Sequence, residues 1–292
     1  MPENQIATAR VPGSTSNIGP GYDCLGIALA LHNDVCVERL DHQGVEPAHR
    51  MVEAAAAAYF SRAAVPSFGF RWSIGGEVPI SRGLGSSVTL RLGIMQALDA
   101  LSGSPLGKEA LFQICTELEG HPDNAGPAAF GGFIITNARG DYFRFEVDPK
   151  LKFALLIPPF EVLTEPAREV LPESIRHVDG ARSMANACSI TAAFATGEYG
   201  KLRGAFEDYL HQPYRRHLVP GLMEIIAAGE KAGALGGFLS GSGSTICCPV
   251  LEDEADPAAV AAAMRSAHQT GEGASVRIVT ADNAGSSAGQ ES

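Results

Sequence analysis

A glycine- and serine-rich stretch at residues 78–88 constrains the fold of this chain more than any other segment. It reads Val-Pro-Ile-Ser-Arg-Gly-Leu-Gly-Ser-Ser-Val. Before it, residues 68–74 alternate aromatic and polar side chains and predict a strand. After it, apolar residues recur at helical spacing, so we expect a helix to begin near Ser86. These apolar residues are Val88, Leu92, Met95 and Leu98.

A strand, a glycine loop and a helix N-terminus form an anion-binding arrangement, because free N–H groups and the helix dipole attract phosphate. Gly83 and Gly85 leave room for a phosphate near the backbone. The hydroxyls of Ser86 and Ser87 can reach phosphate oxygens or Mg²⁺. No Gly-Lys-Ser/Thr follows, so this is not a Walker A loop. The alternative interpretation is a tight strand-to-helix turn without a ligand.

The length and charge of the chain limit its functions. Its 292 residues favour two domains, and its net charge of −11 argues against nucleic acid and anionic membranes as partners. No apolar run approaches the roughly 20 residues of a membrane span, and the N-terminus lacks a secretory signal. The six cysteines show no zinc spacing, which is typical of a cytoplasmic enzyme with reduced thiols.

Two polar loops in the first half of the chain are candidates for a functional site. The first, at residues 12–26, is shaped by glycine and proline, and its conspicuous polar residues are Ser16, Asn17 and Asp23. Such residues usually cap backbone groups. The second loop, at residues 118–128, holds more polar side chains than a turn needs. These are Glu119, His121, Asp123 and Asn124.

The chain changes character near residues 148–150, where we place the boundary between a domain of residues 1–150 and one of residues 151–292. A second glycine-serine loop lies at residues 240–245. The small, polar tail from Asp282 is expected to be disordered. Apolar periodicity and caps predict helices over residues 46–62, from Ser104 to Gly120, and over 180–195, 198–211, 219–232 and 257–268.

Six segments, in this order and spacing, resemble the GHMP small-molecule kinases and, among them, the homoserine kinases. They are residues 11–26, 79–87, 118–128, 158–172, 213–221 and 240–245. The resemblance implies an α+β, two-domain GHMP kinase fold with an N-terminal ribosomal-protein-like α/β domain and a C-terminal ferredoxin-like domain. It also implies phosphorylation of the side-chain hydroxyl of L-homoserine by ATP and Mg²⁺, a step of threonine biosynthesis, by a chain that forms a homodimer.

The resemblance assigns the phosphates of ATP to the first glycine-serine loop and to two glycines of the second. The residues are Pro79, Arg82, Gly83, Leu84, Gly85, Ser86, Ser87, Gly241 and Gly243. It assigns Mg²⁺ to Ser87 and Glu119, with Glu117 as the alternative carboxylate because the local alignment is ambiguous. The helix that follows the first loop continues Val-Thr-Leu-Arg, where the family has small residues.

A small zwitterionic substrate needs separate partners for its carboxylate and its ammonium group. Arg168 and Arg215 suit the carboxylate, and Asp23 suits the ammonium; surface ion pairs are the alternative for each arginine. By the resemblance, the substrate site comprises Asn17, Asp23, His121, Asn124, Thr164, Arg168 and Arg215.

The catalytic residues implied by the resemblance are Asp123, Asn124, Glu119, Ser87 and Arg168. Two roles stay open for Asp123. Related GHMP kinases use an aspartate here as a general base, whereas in the other mechanism transition-state stabilisation alone drives the reaction.

Two further functions fit the sequence. One is a GHMP kinase for another small hydroxy acid, amino acid or alcohol, and the arginine pair favours an acid over a neutral sugar. The other is a non-catalytic metabolite-binding member of the same fold. The joint presence of Ser87, Glu119 and Asp123 favours catalysis over binding alone.

Overall fold

The computed structural model describes residues 6–137, 139–268 and 273–290, whose strands form two sheets. The strands are β1 (Ile6–Ser16), β2 (Leu25–Arg39), β3 (Val45–Glu46), β4 (Phe70–Gly76), β5 (Phe133–Thr136), β6 (Tyr142–Phe145), β7 (Leu151–Ile157), β8 (Phe238–Leu239), β9 (Ile246–Leu251), β10 (Ser275–Val279) and β11 (Ser287–Gln290). The helices are α1 (Arg50–Ala63), α2 (Ser86–Leu101), α3 (Lys108–Glu119), α4 (Ala125–Phe130), α5 (Thr164–Glu169), α6 (His177–Thr196), α7 (Gln212–Arg215), α8 (Leu222–Lys231) and α9 (Pro257–Ala267).

The first sheet has the order β11-β1-β2-β4-β3, with β5 paired to β2 and β6 paired to β5. The helix α2 packs against β1 and β2 and is buried on nearly every side, because apolar residues occupy most of its positions. The second sheet, β10-β7-β9-β8, is antiparallel and packs against α8 and α9. This mixture of sheets and helices confirms the predicted α+β class.

A shared apolar core joins the two sheets. The ring of Phe133 in β5 stacks on that of Phe194 in α6, with the ring centroids 4.2 Å apart. The same cluster contains Phe153 of β7 and Phe238 of β8. Because this core belongs to both halves, the division of the chain at residue 150 stays a prediction. Across the described ranges, no helix is both long and apolar enough to span a membrane.

Three of the predicted helices depart most from those in the structure, because α6, α8 and α9 keep their predicted bounds to within three residues. The helix α1 begins at Arg50, because residues 45–46 pair with β4 instead. The helix α3 begins at Lys108, because Ser104 has a φ of 57° and donates its N–H to the carbonyl of Asp99 (2.7 Å) in a turn that closes α2.

The helix predicted over residues 198–211 is reduced to a 3-10 turn at Tyr199–Leu202. Gly204 then takes a φ of 77°, which ends the helical path. Farther on, the Asp208 carboxylate accepts the backbone N–H groups of Leu210 and His211, at 2.7 and 3.0 Å. Such side-chain contacts replace helical hydrogen bonds.

The disorder predicted for the tail from Asp282 is wrong for residues 282–290. The strand β11 pairs with the edge of β1, which satisfies backbone groups that would otherwise stay unpaired. Ser286 is buried, and its hydroxyl accepts the Gln96 side-chain N–H at 2.6 Å. Polar composition predicted a solvated tail, but the partner strand lies more than 270 residues away in sequence. Residues 291–292 lie outside the described residues.

Substitution Ser286→Ala tests this packing. It removes the acceptor for the buried Gln96 amide, so the free energy of unfolding should fall by about 1–3 kcal/mol. The control Ser287→Ala changes an exposed position of β11 and should alter it by less than about 0.5 kcal/mol. Urea denaturation gives both values. Equal effects of the two changes would contradict a packed tail.

Candidate active site

A cavity of about 570 Å³ lies where the loops of the two sheets meet. Fourteen of the residues predicted for the site line it, although they come from distant parts of the chain. They are Asn17, Asp23, Gly83, Gly85, Ser86, Ser87, Glu119, His121, Asp123, Asn124, Thr164, Arg168, Arg215 and Gly241. The structure therefore brings the polar loops of the sequence together in one place.

The glycine-serine loop ends at the N-terminus of α2, which faces this cavity. No acidic side chain lies in the first turn of the helix, so the protein itself does not neutralise the positive end of the dipole. Gly83 and Gly85 have φ values of 72° and 71°, which glycine adopts without strain. The end of α2 can therefore accept an anion.

The two glycine-serine loops are joined by direct contacts. A Cβ atom at Gly83 would collide with the carbonyl oxygen of Ser240, so glycine is required there by packing as well as by conformation. The Ser240 hydroxyl donates to the Gly83 carbonyl at 2.6 Å, and the N–H of Thr245 donates to the Arg82 carbonyl at 3.2 Å. Together these contacts hold the first glycine-serine loop against the second sheet.

Four of the residues predicted to bind phosphate do not line the cavity. The guanidinium of Arg82 donates to the carbonyls of Pro158 (3.1 Å) and Pro159 (2.7 Å), so its contacts do not support phosphate binding. Leu84 is a buried core residue, and Gly243 closes a turn by donating its N–H to Ser240. The four residues are Pro79, Arg82, Leu84 and Gly243.

Ser87 and Glu119 meet at the start of α2. The Ser87 hydroxyl donates to Glu119 Oε2 at 2.9 Å, while Arg91 Nη1 donates to Glu119 Oε1 at 2.6 Å. Glu117 instead is 63% exposed and pairs with Arg62 at 2.9 Å. The structure therefore places Glu119, and not Glu117, beside Ser87. Sequence reasoning did not identify Arg91 as part of the site, although an arginine in an apolar helix was the available signal.

Asp123 is buried between α3 and α4, with 2% of its surface exposed. Its Oδ1 lies 2.7 Å from His121 Nδ1. Burial alone would lower the pKa of His121, but the hydrogen bond and the charge of Asp123 outweigh it and raise that pKa. Asn124 is held through both amide atoms, since it donates to Ser16 (2.9 Å) and accepts from Ser14 (2.9 Å).

A two-pronged ion pair joins Arg168 of α5 to Asp23. The Nη1 and Nη2 atoms of Arg168 lie 3.0 and 2.7 Å from the two carboxylate oxygens, and Nη1 also donates to the Tyr22 hydroxyl at 2.9 Å. The pair is about one-third exposed. The groups predicted to bind the two ends of a zwitterion thus bind each other in this structure.

The carboxylates of Asp23 and Asp123 lie close together in the cavity. Ligand atoms of Asp23, His121 and Asp123 all lie within 4.8 Å of one another. Burial, and then the charges of Asp123 and Asp23, raise the pKa of the neighbouring Cys24 thiol to about 11. An ammonium group suits this region.

Arg215 is almost fully buried, with 2% of its surface exposed. Its Nε donates to the Ala167 carbonyl at 2.8 Å, and its Nη1 donates to the Gly241 carbonyl at 3.2 Å. Burial lowers its pKa from the ordinary arginine value. Asn17 also donates to Gly241 (3.0 Å) and accepts the N–H of Asp23 (2.9 Å), so its amide holds the loop.

The other end of the cavity is mostly apolar, and sequence reasoning did not assign it to the site. Its residues are contributed by β2, the start of α1, and β4, which carry no local motif. They are Asn33, His49, Met51, Trp72 and Ile74. The rings of His49 and Trp72 meet edge to face, with the centroids 5.7 Å apart. This end suits a planar aromatic group such as a nucleobase.

Substitution Asp123→Asn tests the electrostatics of the pair. Without the carboxylate, only the weaker charge of Asp23 opposes burial, so the pKa of His121 should fall, as seen by NMR titration with the signal assigned through His121→Gln. The pKa of His121 is higher in the folded chain than in the unfolded chain, so this pair stabilises the fold at pH values below the unfolded pKa of about 6.5. The contribution is lost as the pH rises through the folded pKa. The variant should therefore be destabilised more at about pH 5.5 than at about pH 8.5.

The control for that titration is Asp23→Asn, because Asp23 contributes less than Asp123 to the pKa of His121. It should lower the pKa of His121 by a smaller amount. An unchanged pKa in Asp123→Asn would contradict the assigned interaction.

The comparisons with known proteins agree with this geometry. Residues 50–132 match the family described as GHMP kinases N terminal domain, and residues 190–269 match GHMP kinases C terminal. A homoserine kinase of Caldicellulosiruptor bescii is 35% identical over 262 residues, covering 85% of both chains. One of Moorella thermoacetica is 35% identical over 272 residues, covering 88% of this chain and 92% of the relative.

Among solved structures, the homoserine kinase from Cytophaga hutchinsonii superposes with a TM-score of 0.88 over 97% of both chains. At 23% sequence identity this likeness shows the fold, and it agrees with the predicted two-domain architecture. Together with the sequence identity of the relatives, the matches show that this chain belongs to the homoserine kinase family of the GHMP kinases.

Proposed function

We propose that this chain transfers the γ-phosphoryl group of ATP to the side-chain hydroxyl of L-homoserine, giving ADP and O-phospho-L-homoserine. The observation that carries the proposal is the Asp23–Arg168 ion pair, which lies beside the buried Arg215 in a cavity that ends at the N-terminus of α2. Opposite charges beside an anion site suit a zwitterion that accepts a phosphoryl group. Homodimer formation and a cytoplasmic location stay predictions.

A zwitterionic substrate can replace the internal ion pair without leaving a charge unpaired. Its carboxylate takes the place of Asp23 on Arg168 and adds a counter-charge for Arg215. Its ammonium group takes the place of Arg168 on Asp23. A ligand with only one of these charges would leave one side of the pair uncompensated in a partly buried site, which costs binding free energy. The site thereby selects an amino acid.

The nucleotide extends from the start of α2 towards the apolar end of the cavity. The N–H groups of Ser86 and Ser87 bind phosphate oxygens, and the base lies near His49 and Trp72. This orientation directs the γ-phosphate towards Asp123 and Asn124, where the substrate hydroxyl lies. Phosphoryl transfer depends mainly on such positioning and on neutralisation of charge.

Ser87 and Glu119 fit a hard cation, because a hydroxyl and a carboxylate oxygen lie 2.9 Å apart at the phosphate loop. When bound, Mg²⁺ supplies neutralisation of the charge on the phosphate oxygens. Arg91 holds the other carboxylate oxygen of Glu119, so Oε2 stays directed at Ser87.

We assign to Asp123 the acceptance of the proton from the substrate hydroxyl. Its carboxylate lines the cavity and is oriented by His121. The Asp123→Asn variant tests this role: kcat should fall by about 100-fold or more, with little change in the KM for homoserine. An unchanged kcat would assign the proton to a phosphate oxygen instead.

Release of ADP by the purified chain tests the proposal. The acceptors are L-homoserine, 4-hydroxybutanoate without the ammonium group, 3-aminopropan-1-ol without the carboxylate, mevalonate and galactose. We expect turnover with L-homoserine, lost on addition of EDTA, and kcat/KM lower by about 100-fold or more for each single-charge analogue. Preference for mevalonate or galactose would contradict the substrate, and absence of ATP binding would contradict the reaction.

Glu119→Gln and Glu117→Gln form a matched pair for the metal site. Glu119→Gln should raise the Mg²⁺ concentration needed for half-maximal rate by roughly 10- to 100-fold. It should also weaken the affinity for MgADP, measured by calorimetry, relative to the affinity for ADP in the presence of EDTA. The second should change neither value, because Glu117 is exposed and pairs with Arg62. Equal effects of the two substitutions would contradict the assignment of Glu119.

A further inference from the structure

His211 is fully buried at the substrate end of the cavity, with 0% of its surface exposed. It precedes α7 and contacts both the loop that carries Asp23 and the side chain of Arg215 in α7. Its Nε2 lies 2.8 Å from the Gly19 carbonyl oxygen, in the loop that carries Asp23. Its Nδ1 lies 3.3 Å from Arg215 Nη1. One imidazole therefore joins the Asp23 loop to the buried arginine.

The neighbours of His211 fix its tautomer. On one side, Nε2 faces two acceptors, the Gly19 carbonyl and the Asp208 carboxylate at 3.4 Å. On the other side, Nδ1 faces a guanidinium, which can only donate. The imidazole is thus neutral, with its proton on Nε2. Burial, aided by the charge of Arg215, lowers the pKa of His211 in spite of Asp208.

Asp208 fixes the backbone around this histidine. Its two carboxylate oxygens accept the N–H groups of Leu210, His211 and Gln212, at 2.7, 3.0 and 2.7 Å. With the backbone held in this way, the imidazole has a set position relative to Gly19 and Arg215.

The other partners of Arg215 are two backbone carbonyls and the hydroxyl of Tyr22. It donates to Ala167 and Gly241, and no carboxylate among the described residues lies within 4.0 Å of its nitrogens. Arg168, by contrast, is held by Asp23. His211 and Tyr22 are the side-chain acceptors of Arg215, and of the two only His211 is fully buried, so it constrains the angle of the guanidinium.

We propose that His211 is a positioning residue that aims Arg215 at the carboxylate of the substrate through Nδ1, while the contact of Nε2 with Gly19 holds the imidazole ring itself. The inference rests on the proposed function, since it requires an acceptor with a carboxylate. It predicts that loss of the Nδ1 acceptor affects binding of the amino acid and leaves nucleotide binding unchanged.

Two conservative substitutions separate the two ring nitrogens. In His211→Gln, the amide nitrogen can reach the place of Nε2 and donate to Gly19, but nothing replaces Nδ1. In His211→Asn, the amide oxygen takes the place of Nδ1 and accepts from Arg215, but the contact with Gly19 is lost. Thermal midpoints and circular dichroism show whether each variant is folded.

We expect His211→Gln to raise the KM for L-homoserine by roughly tenfold, with kcat and the KM for MgATP within about twofold of wild type. His211→Asn should keep the KM for L-homoserine within about threefold of wild type. If His211→Gln does not fold, the result with His211→Asn decides: a KM for L-homoserine near that of wild type supports the proposal, and a raised one overturns it.

Three results would contradict the proposal. One is an equal rise of the KM for L-homoserine and the KM for MgATP in His211→Gln, which indicates a general structural role. Another is an equal rise of the KM for L-homoserine in the two variants, which means that restoring the Nδ1 acceptor in His211→Asn does not restore substrate binding. The third is a wild-type chain that does not phosphorylate L-homoserine at all, which overturns the proposed function and this inference together. The first two leave the proposed function intact.

Discussion

The contact between the two glycine-serine loops is the constraint on which the site depends. Gly83 approaches the backbone of Ser240 so closely that no Cβ fits between them. Beside it, the N–H of Gly241 donates to the Ser16 carbonyl at 3.1 Å, and its carbonyl accepts from Asn17 and Arg215. The first glycine-serine loop, at residues 78–88, and the loop at residues 12–26 are therefore both positioned against residues 240–241, and a shift there would displace residues that line the cavity.

Backbone groups and a few buried side chains hold the polar residues of this site in place. Arg215 rests on two carbonyls and on His211, and Asn124 is fixed by Ser14 and Ser16. Such contacts leave the charges of the arginines available to a ligand, whereas a permanent carboxylate partner would consume them. The Asp23–Arg168 pair is the exception, and it is about one-third exposed.

The sequence predicted the parts of the site that carry a local signal. The start of α2 follows a glycine-serine loop. The polar side chains around Asp123 are more numerous than a turn needs. The sequence did not predict contacts between residues that are far apart along the chain. Arg91 and Glu119 are 28 residues apart, and His211 and Gly19 are 192 residues apart. The inward contacts of Arg82 and the pairing of β11 also depend on distant backbone groups, which composition and periodicity do not reveal.

The charge of the chain explains why recognition has to be local. A net charge of −11 repels both MgATP and the phosphorylated product at long range, but such fields are screened beyond about 8 Å at physiological salt. Inside the cavity, the end of α2 and the two arginines present positive charge within contact distance. The product carries up to about two more negative charges than the substrate. The same repulsion therefore favours its departure once the local contacts are broken.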